Sequence, residues 1–286
     1  MRGRRVLVTG ATTGIGSVTA VELGRAGAEV VLVARDRQKA EETLAALKEA
    51  GAPPAQVLMA DLSLMSSVRA LAEEVRGKFD RIDVLVNNAG AIFGSRALTA
   101  EGFERTFALN HLSYFLLTNL LLDRLPSGAR IVNVASEAHR AGRVDFDDLQ
   151  LERRYSSWGA YCTSKLMNLL FTFELARRVQ ARGLTVNAAH PGPVASNFGR
   201  SNRGAFGFLF ALASPFMLTP EKGARTQIWL ASSPDVAGVS GKYFAKCREK
   251  KPSPRALDEA TQKRLWDVTA QLVGLGAGNV AETQRA

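Results

Sequence analysis

Short apolar runs alternate with longer amphipathic ones along most of the chain. Arg5–Thr9, Glu29–Val33, Gln56–Ala60, Ile82–Val86, Arg130–Ala135, Leu184–Ala189 and Gly241–Ala245 are short and rich in β-branched residues. They lack the strict in–out alternation of a half-solvated strand, as expected for strands buried on both faces. Between them Ile15–Ala26, Arg37–Ala50, Met65–Lys78, Thr99–Leu125 and Trp158–Arg182 carry apolar residues at helical spacing, and Pro126 stops the fourth of these. Arg255 to about Leu272 predicts a last helix followed by a loose tail. Strand–helix alternation of this kind predicts a doubly wound α/β fold, a parallel sheet with helices on both faces. No repeat or low-complexity linker divides the chain, so one domain is expected over residues 1–255, with residues 256–286 as C-terminal helix and tail.

In such a sheet ligands bind beyond the carboxyl ends of the strands. The unusual residues of this sequence cluster there. The first predicted strand runs into Thr9-Gly10-Ala11-Thr12-Thr13-Gly14-Ile15-Gly16. Glycines at a strand-to-helix turn let the backbone approach a pyrophosphate, and the helix amino terminus supplies free N–H groups and partial positive charge. A tight turn needing left-handed backbone would use glycine too. The second strand ends in Val33-Ala34-Arg35-Asp36: an acid here grips a ribose 2′-hydroxyl, as in NAD, and an arginine suits a 2′-phosphate, as in NADP. Arg35 shifts the expectation to NADP(H), with NAD(H) kept as the alternative through Asp36. Asp61-Leu62 closes the third strand, where the carboxylate can cap a helix or hold an adenine amino group, and Asn87-Asn88-Ala89-Gly90 closes the fourth.

The other half of the edge carries acid–base chemistry. Tyr161 and Lys165 lie one helical turn apart on one face. A free phenol is a poor base at neutral pH, and a nearby ammonium would favour its phenolate. Ser136 ends the fifth strand, where a hydroxyl can hydrogen-bond a reacting carbonyl oxygen. Asn110 stands inside the long fourth helix, an awkward place for an amide unless it bends the helix and holds a water near Lys165. Pro191-Gly192-Pro193-Val194-Ala195-Ser196 forms a rigid turn suited to a nicotinamide amide. His111, His139 and His190 show no metal-ligand spacing, so no metal is expected, and neither a G-x-S-x-G elbow nor a G-K-[ST] phosphate loop is present.

Composition narrows the classes further. Hydrophobic residues make up 46% and charged residues 22% of 286, which excludes a largely disordered chain. Two cysteines, Cys162 and Cys247, are too few for a disulfide framework and fit a reducing, cytoplasmic setting. Met1-Arg2-Gly3-Arg4-Arg5 leads into an apolar run too short for a signal peptide, and no stretch reaches the roughly 20 residues of a transmembrane helix. The formal net charge of +10 reads as a solvated basic surface. Its densest run, Lys246–Arg255, has no aromatic residue for base stacking, so no nucleic-acid partner is expected.

Taken together, Gly10, Gly14 and Gly16, Asn87-Asn88-Ala89-Gly90, Asn110, Ser136, Tyr161 with Lys165, and Pro191-Gly192 resemble the short-chain dehydrogenase/reductase family over roughly Arg4 to Ala245. The segments Ser136-Glu137-Ala138-His139, Phe146-Asp147-Asp148-Leu149, Arg154-Tyr155-Ser156 and Ala160–Lys165 look like its retinol dehydrogenase-like branch, as does the 25-residue spacing from Ser136 to Tyr161. The resemblance implies a Rossmann-type, seven-stranded single domain and hydride transfer between NADP(H) and an apolar aldehyde, ketone or alcohol such as retinal or retinol. It implies a catalytic tetrad of Asn110, Ser136, Tyr161 and Lys165. Cofactor contacts are implied at Gly10, Thr12, Thr13, Gly14, Ile15, Gly16, Arg35, Asp61, Leu62, Asn87, Ala89, Gly90, Tyr161, Lys165, Pro191, Gly192, Val194 and Ser196. Residues 197–220 would form the substrate lid. The apolar stretch Gly204–Leu218, with Phe206, Phe208, Phe210, Phe216 and Met217, suits a greasy pocket, core packing or shallow membrane contact aided by Arg200 and Arg203. A non-catalytic NADP(H)-sensing protein on the same fold is the rival, and the tetrad speaks against it. The apolar Trp158–Arg182 helix fits either a homo-oligomer contact or complete burial.

Overall fold

In the computed structural model, residues 1–194 and 218–276 are described. Strands β1 (Arg5–Thr9), β2 (Glu29–Ala34), β3 (Gln56–Met59), β4 (Val84–Asn87), β5 (Arg130–Val134), β6 (Thr185–His190), β7 (Lys242–Ala245) and β8 (Arg248–Glu249) form one sheet. Its order is β3-β2-β1-β4-β5-β6-β7-β8, with β1 to β7 parallel and β8 antiparallel to β7. The order reverses between β1 and β4, which opens a crevice at their carboxyl ends. The sheet thus has one more strand than the seven expected. β8 is reached through a two-residue turn in which Lys246 and Cys247 both have positive φ, 52° and 56°. Hairpin turns of this kind normally announce themselves by Asn-Gly or Asp-Gly, and Lys-Cys carries no such signal.

Helices α1 (Gly14–Arg25), α2 (Arg37–Glu49) and α3 (Met65–Lys78) follow the first three strands. The long helix expected over Thr99–Leu125 is broken instead. A turn at Thr99–Phe103 with Gly102 at φ 82° precedes the short α4 (Arg105–Phe107), then a π-helical turn (Ala108–Leu112), α5 (Ser113–Leu121) and a 3-10 turn (Leu122–Arg124). The start is fixed at α4 because the buried Glu104 carboxylate accepts from the Thr106 and Phe107 N–H groups. Two more long helices follow: α6 (Ser157–Arg178) and α7 (Pro220–Ser232), the latter capped by Thr219 with Pro220 at its first position.

The last helix, α8 (Glu259–Leu272), answers the question raised by the apolar α6. Leu265, Trp266, Ala270 and Val273 lie in the same buried cluster as Leu166, Leu169, Leu170 and Phe173 of α6. Trp266 closes the contact: its ring centroid is 4.8 Å from Phe115 and 5.9 Å from Phe171, and the Arg178 guanidinium stands 4.3 Å above it. This face of α6 is therefore covered within the chain. A second cluster, built on Val6, Val8, Leu32 and Val86, lies beneath α1 and α7. No described helix is long and apolar enough to cross a membrane. Residues 197–217 of the expected lid, and with them all of the apolar stretch Gly204–Leu218 except Leu218, lie outside the described residues.

Candidate active site

At the carboxyl end of β1 the chain turns through Gly10 (φ 61°) and Gly14 (φ 55°) into α1. A Cβ on Gly10 would stand 2.8 Å from Ala89 Cα, and one on Gly16 would stand 2.1 Å from the Gly10 carbonyl oxygen. The turn is thus closed against β4 and admits only glycine. Thr13, the N-cap, makes no side-chain cap bond, and the first turn of α1 holds no acid. Its leading N–H groups are therefore left without a capping side chain, the condition in which a helix terminus can hold an anion. Thr12 is partly buried and Thr13 exposed.

Asn88 holds this turn in place. Its Nδ2 donates to the Thr9 and Gly10 carbonyls (2.8 and 3.2 Å), while the Asn88 and Ala89 N–H groups donate to Thr9 Oγ1. Gln227 of α7, fully buried, donates to Thr19 Oγ1 and the Ile15 carbonyl and reaches Asn88 Oδ1 at 3.4 Å. Neither residue was singled out as a ligand contact from the sequence. Asn87, which was, points the other way: buried, it donates to Thr118 Oγ1 and Asn133 Oδ1, both at 2.9 Å. Successive strand residues face opposite sides, so one of two adjacent asparagines had to be structural.

Beyond β2, Arg35 is exposed and makes no ion pair among the described residues. Asp36 beside it is engaged: its carboxylate caps α2 at the Lys39 N–H, and that bond holds its pKa below the usual range. Asp61 accepts from the Ser63 N–H and hydroxyl at 2.9 and 2.7 Å, and Leu62 is buried in the core. The N-terminus of α3 is capped by Glu101, distant in sequence.

The tetrad residues converge beyond β4, β5 and α6. Ser136 Oγ accepts from the Ala138 N–H at 3.2 Å, which leaves its proton for a hydrogen bond to Tyr161. Lys165 is buried, and its Nζ donates to the Val134 carbonyl at 2.9 Å, 5.7 Å from the centre of the Tyr161 ring. Asn110 sits in the π-helical turn. Its side chain bonds both backbone groups of Ala91 at 2.9 Å and the Ser164 hydroxyl at 3.0 Å. A Cβ on Gly90 would reach 3.3 Å from Asn110 Oδ1 and 3.6 Å from Lys165 Nζ. A side chain here would thus press on Asn110 and stand in ordinary contact with Lys165.

Burial sets the protonation. Removal from water pushes the Tyr161 phenol up to about 12, against the opposing Ser136 hydrogen bond, and pulls Lys165 down to about 7. The expectation that Lys165 would bring Tyr161 towards phenolate is outweighed by this desolvation. At neutral pH Tyr161 holds its proton, ready to donate.

Ser136 is braced from behind by residues the sequence left unexplained. His139 Nε2 accepts from the Ser253 N–H at 3.0 Å, so its Nδ1 carries the proton and donates to the Ser136 carbonyl at 2.7 Å. Glu137 accepts from Arg140, Lys250 and Tyr243. Although burial works against it, the Lys250 and Arg140 bonds hold its carboxyl at about 2. The basic run Lys246–Arg255 thus has an internal use: Lys250 holds Glu137 and Arg255 donates to the Gly142 carbonyl. On the far side, Gly192 (φ 87°) follows Pro191, and the partly buried Val194 and Ile15 both pack on α7 at Gly223, where a Cβ would lie 2.4 Å from Val194 Cγ2 and 3.0 Å from Ile15 Cγ2. Ser196 lies outside the described residues.

The profile of the short chain dehydrogenase family matches residues 4–205. The chain belongs to this family. It is 45% identical to retinol dehydrogenase 14 of Mus musculus, over 96% of this chain and 87% of that one. It is 44% identical to human retinol dehydrogenase 13, over 98% and 87%. These likenesses put it in the retinol dehydrogenase-like branch and make it an oxidoreductase. A solved protein from Mycobacterium paratuberculosis matches with a TM-score of 0.78 and 36% identity, over 96% of this chain and 94% of that one. A short chain dehydrogenase from Shigella flexneri, solved in complex with NADP, matches with a TM-score of 0.69 and 26% identity, over 87% and 98%.

The buried histidines of this dehydrogenase give its stability a pH dependence. Burial lowers His111 from 6.5 to about 3 and His190 from 6.5 to about 4. Between those values and 6.5 the unfolded chain binds more protons than the folded one, so stability rises with pH through the window. Urea unfolding is expected to give a lower free energy at about pH 5 than at about pH 7. Equal free energies at the two pH values would contradict burial of these rings in neutral form.

Proposed function

We propose that this protein is an NADP(H)-dependent alcohol dehydrogenase/carbonyl reductase acting on apolar substrates of retinoid type. The observation that carries it is the convergence of Ser136, Tyr161 and Lys165 on the same edge of the parallel sheet as the uncapped amino terminus of α1. The glycine turn and the α1 N–H groups fit a pyrophosphate, and a bound reduced nicotinamide would supply the hydride. Thr12, Thr13, Ile15, Ala89, Gly90, Pro191, Gly192 and Val194 border the same crevice and are proposed contacts, with Lys165 towards the ribose. Asp61 and Leu62 fit the adenine end, and Asn87 acts indirectly, through the Thr118 and Asn133 side chains it holds.

Ser136 then holds the substrate oxygen, and Tyr161 gives its proton to that oxygen as the carbonyl is reduced. In oxidation the same phenol takes the proton back. Asn110 fixes the backbone at Ala91 beside Lys165 and lines the path by which protons return to the site. Support for an apolar substrate comes from Trp158, half exposed, whose ring lies 5.7 Å from Tyr161 one turn earlier on α6. The names of the relatives point the same way. The free cysteines fit action in the cytoplasm.

NADP(H) is favoured because Arg35 stands free for a 2′-phosphate while Asp36 is spent on capping α2. Arg35→Ala is therefore expected to weaken NADPH binding about tenfold to 100-fold and NADH binding less than about twofold. Fluorescence titration of wild type and variant measures this directly. An equal loss for both cofactors would refute the assignment of Arg35. The whole proposal is tested by titrating the protein with NADPH and following its oxidation against a carbonyl panel that includes retinal. Consumption of an apolar carbonyl supports the enzyme. NADPH binding without any turnover across the panel would favour the sensor, and no binding would overturn both.

A further inference from the structure

The peptide group that follows Ser136 is gripped at both of its ends by a histidine, and the mechanism above uses neither ring. At the carbonyl end, the Ser136 oxygen lies 2.7 Å from His139 Nδ1 and also accepts from the His139 N–H at 3.1 Å. At the amide end, the Glu137 N–H donates to His190 Nδ1 at 3.3 Å. His139 is fully buried in the turn after β5, and His190 is the partly buried last residue of β6. In a trans peptide the C=O and N–H share one plane and point opposite ways, so the two rings hold that plane from opposite ends.

Backbone N–H groups fix the proton on each ring, and the two rings take opposite tautomers. His139 Nε2 accepts from the Ser253 N–H at 3.0 Å, so its proton is on Nδ1 and is donated to the Ser136 carbonyl. His190 Nδ1 accepts from Glu137 and, at 3.4 Å, from the Gly192 N–H, so its proton is on Nε2. With the tautomers exchanged, His190 Nδ1–H would face two N–H groups, and at His139 two acceptors would face each other. Both patterns need neutral rings. Burial favours them, lowering His139 below its ordinary 6.5 and His190 to about 4.

We propose that His139 and His190 are positioning residues that clamp the Ser136–Glu137 peptide plane and thereby aim the Ser136 hydroxyl at the substrate oxygen. Locking that plane holds ψ of Ser136 at 155°. With φ at −156°, carried on from β5, only χ1 remains free for Oγ, and the Ala138 N–H occupies it at 3.2 Å. The rings act through this peptide and not on the reacting atoms. The clamp also joins parts of the chain that are far apart. His139 ties Ser136 to Ser253, in the segment after β8, and His190 ties it to Gly192, in the turn proposed to meet the nicotinamide. The substrate side and the cofactor side thus share one rigid peptide as their common frame. The catalytic role of Ser136 in this inference rests on the proposed function; the clamp and its two tautomers do not.

Two measurements on the full-length protein test it. Histidine ring ¹⁵N spectra, assigned through His139→Asn and His190→Asn, are expected to find His139 protonated on Nδ1 alone and His190 on Nε2 alone at about pH 7.5. The same tautomer in both rings, or the two reversed, would overturn the clamp. This readout needs neither cofactor nor turnover, so it decides the clamp even if the enzyme reading fails. The second measurement is kinetic. Leu and Asn are nearly equal in shape, and only Asn places a polar group where Nδ1 stood: Nδ2 to donate to the Ser136 carbonyl, or Oδ1 to accept from Glu137. His139→Leu and His190→Leu are each expected to lower kcat about tenfold, while His139→Asn and His190→Asn stay within about threefold of wild type. Equal losses in the Leu and Asn variants of either site would overturn positioning. His139→Leu is also expected to leave the NADPH Kd within about twofold, because no hydrogen bond of the ring reaches the glycine turn or Gly192. A parallel tenfold loss of NADPH affinity would mean general structural damage and would overturn the role of His139.

Discussion

Tyr161→Phe is expected to lower kcat about 10³-fold or more while leaving the NADPH Kd within about twofold of wild type. The substitution removes one oxygen and keeps the ring that packs against Trp158 and Lys165. The glycine turn, the α1 terminus and Arg35, which are proposed to hold the cofactor, keep their residues, so cofactor affinity is expected to change little. Turnover falls under the proposed mechanism, in which the proton for the substrate oxygen comes from this hydroxyl, hydrogen-bonded to Ser136. The phenol sits at about 12, so carbonyl reduction finds its proton in place at neutral pH. Alcohol oxidation needs the small deprotonated fraction, which grows tenfold per pH unit. Wild-type oxidation is accordingly expected to climb with pH through the neutral range and reduction to climb much less. Stopped-flow measurement of reduced nicotinamide in both directions checks both points. Wild-type-like turnover in the Phe variant would remove Tyr161 from the mechanism.

The gathering of these residues at one edge of the sheet was legible in the sequence because it depends on spacing. Tyr161 and Lys165 share a helix face by number alone, and Gly10, Gly14 and Gly16 stand where a strand must turn into a helix. Burial was not legible. The expectation that Lys165 favours a Tyr161 phenolate follows from Coulomb attraction, yet both groups lie where loss of water dominates. Side-chain direction was hidden as well. Asn87 and Asn88 are chemically identical, and only the parity of β4 sends one to Asn133 and the other to Gly10. Partners distant in sequence had no local signal: Glu101 caps α3, Gln227 braces Asn88, and Ser253 sets the tautomer of His139. Asn110 is an intermediate case. An amide inside a long helix marked the place, but the break there needed the Ala91 backbone, nineteen residues earlier, as its partner.

The largest effect on stability is expected from Trp266→Ala, at about 3–5 kcal/mol. Trp266 is 3% exposed and fills the junction of three helices, against Phe115 of α5, Phe171 of α6 and the stacked Arg178 guanidinium. Its removal leaves a cavity walled by rigid rings, which collapse poorly, so the transfer and cavity terms add. Leu272, at the exposed end of the same helix, is the control: Leu272→Ala is expected to cost less than about 1 kcal/mol. Urea unfolding of the two variants separates the cases. A Trp266→Ala cost as small as that of Leu272→Ala would mean that α8 is an appendage to the fold. The expected difference means that α8 is part of the core. In that case the contact of Thr269, three residues on, with the buried His111 beside Asn110 depends on the same packing.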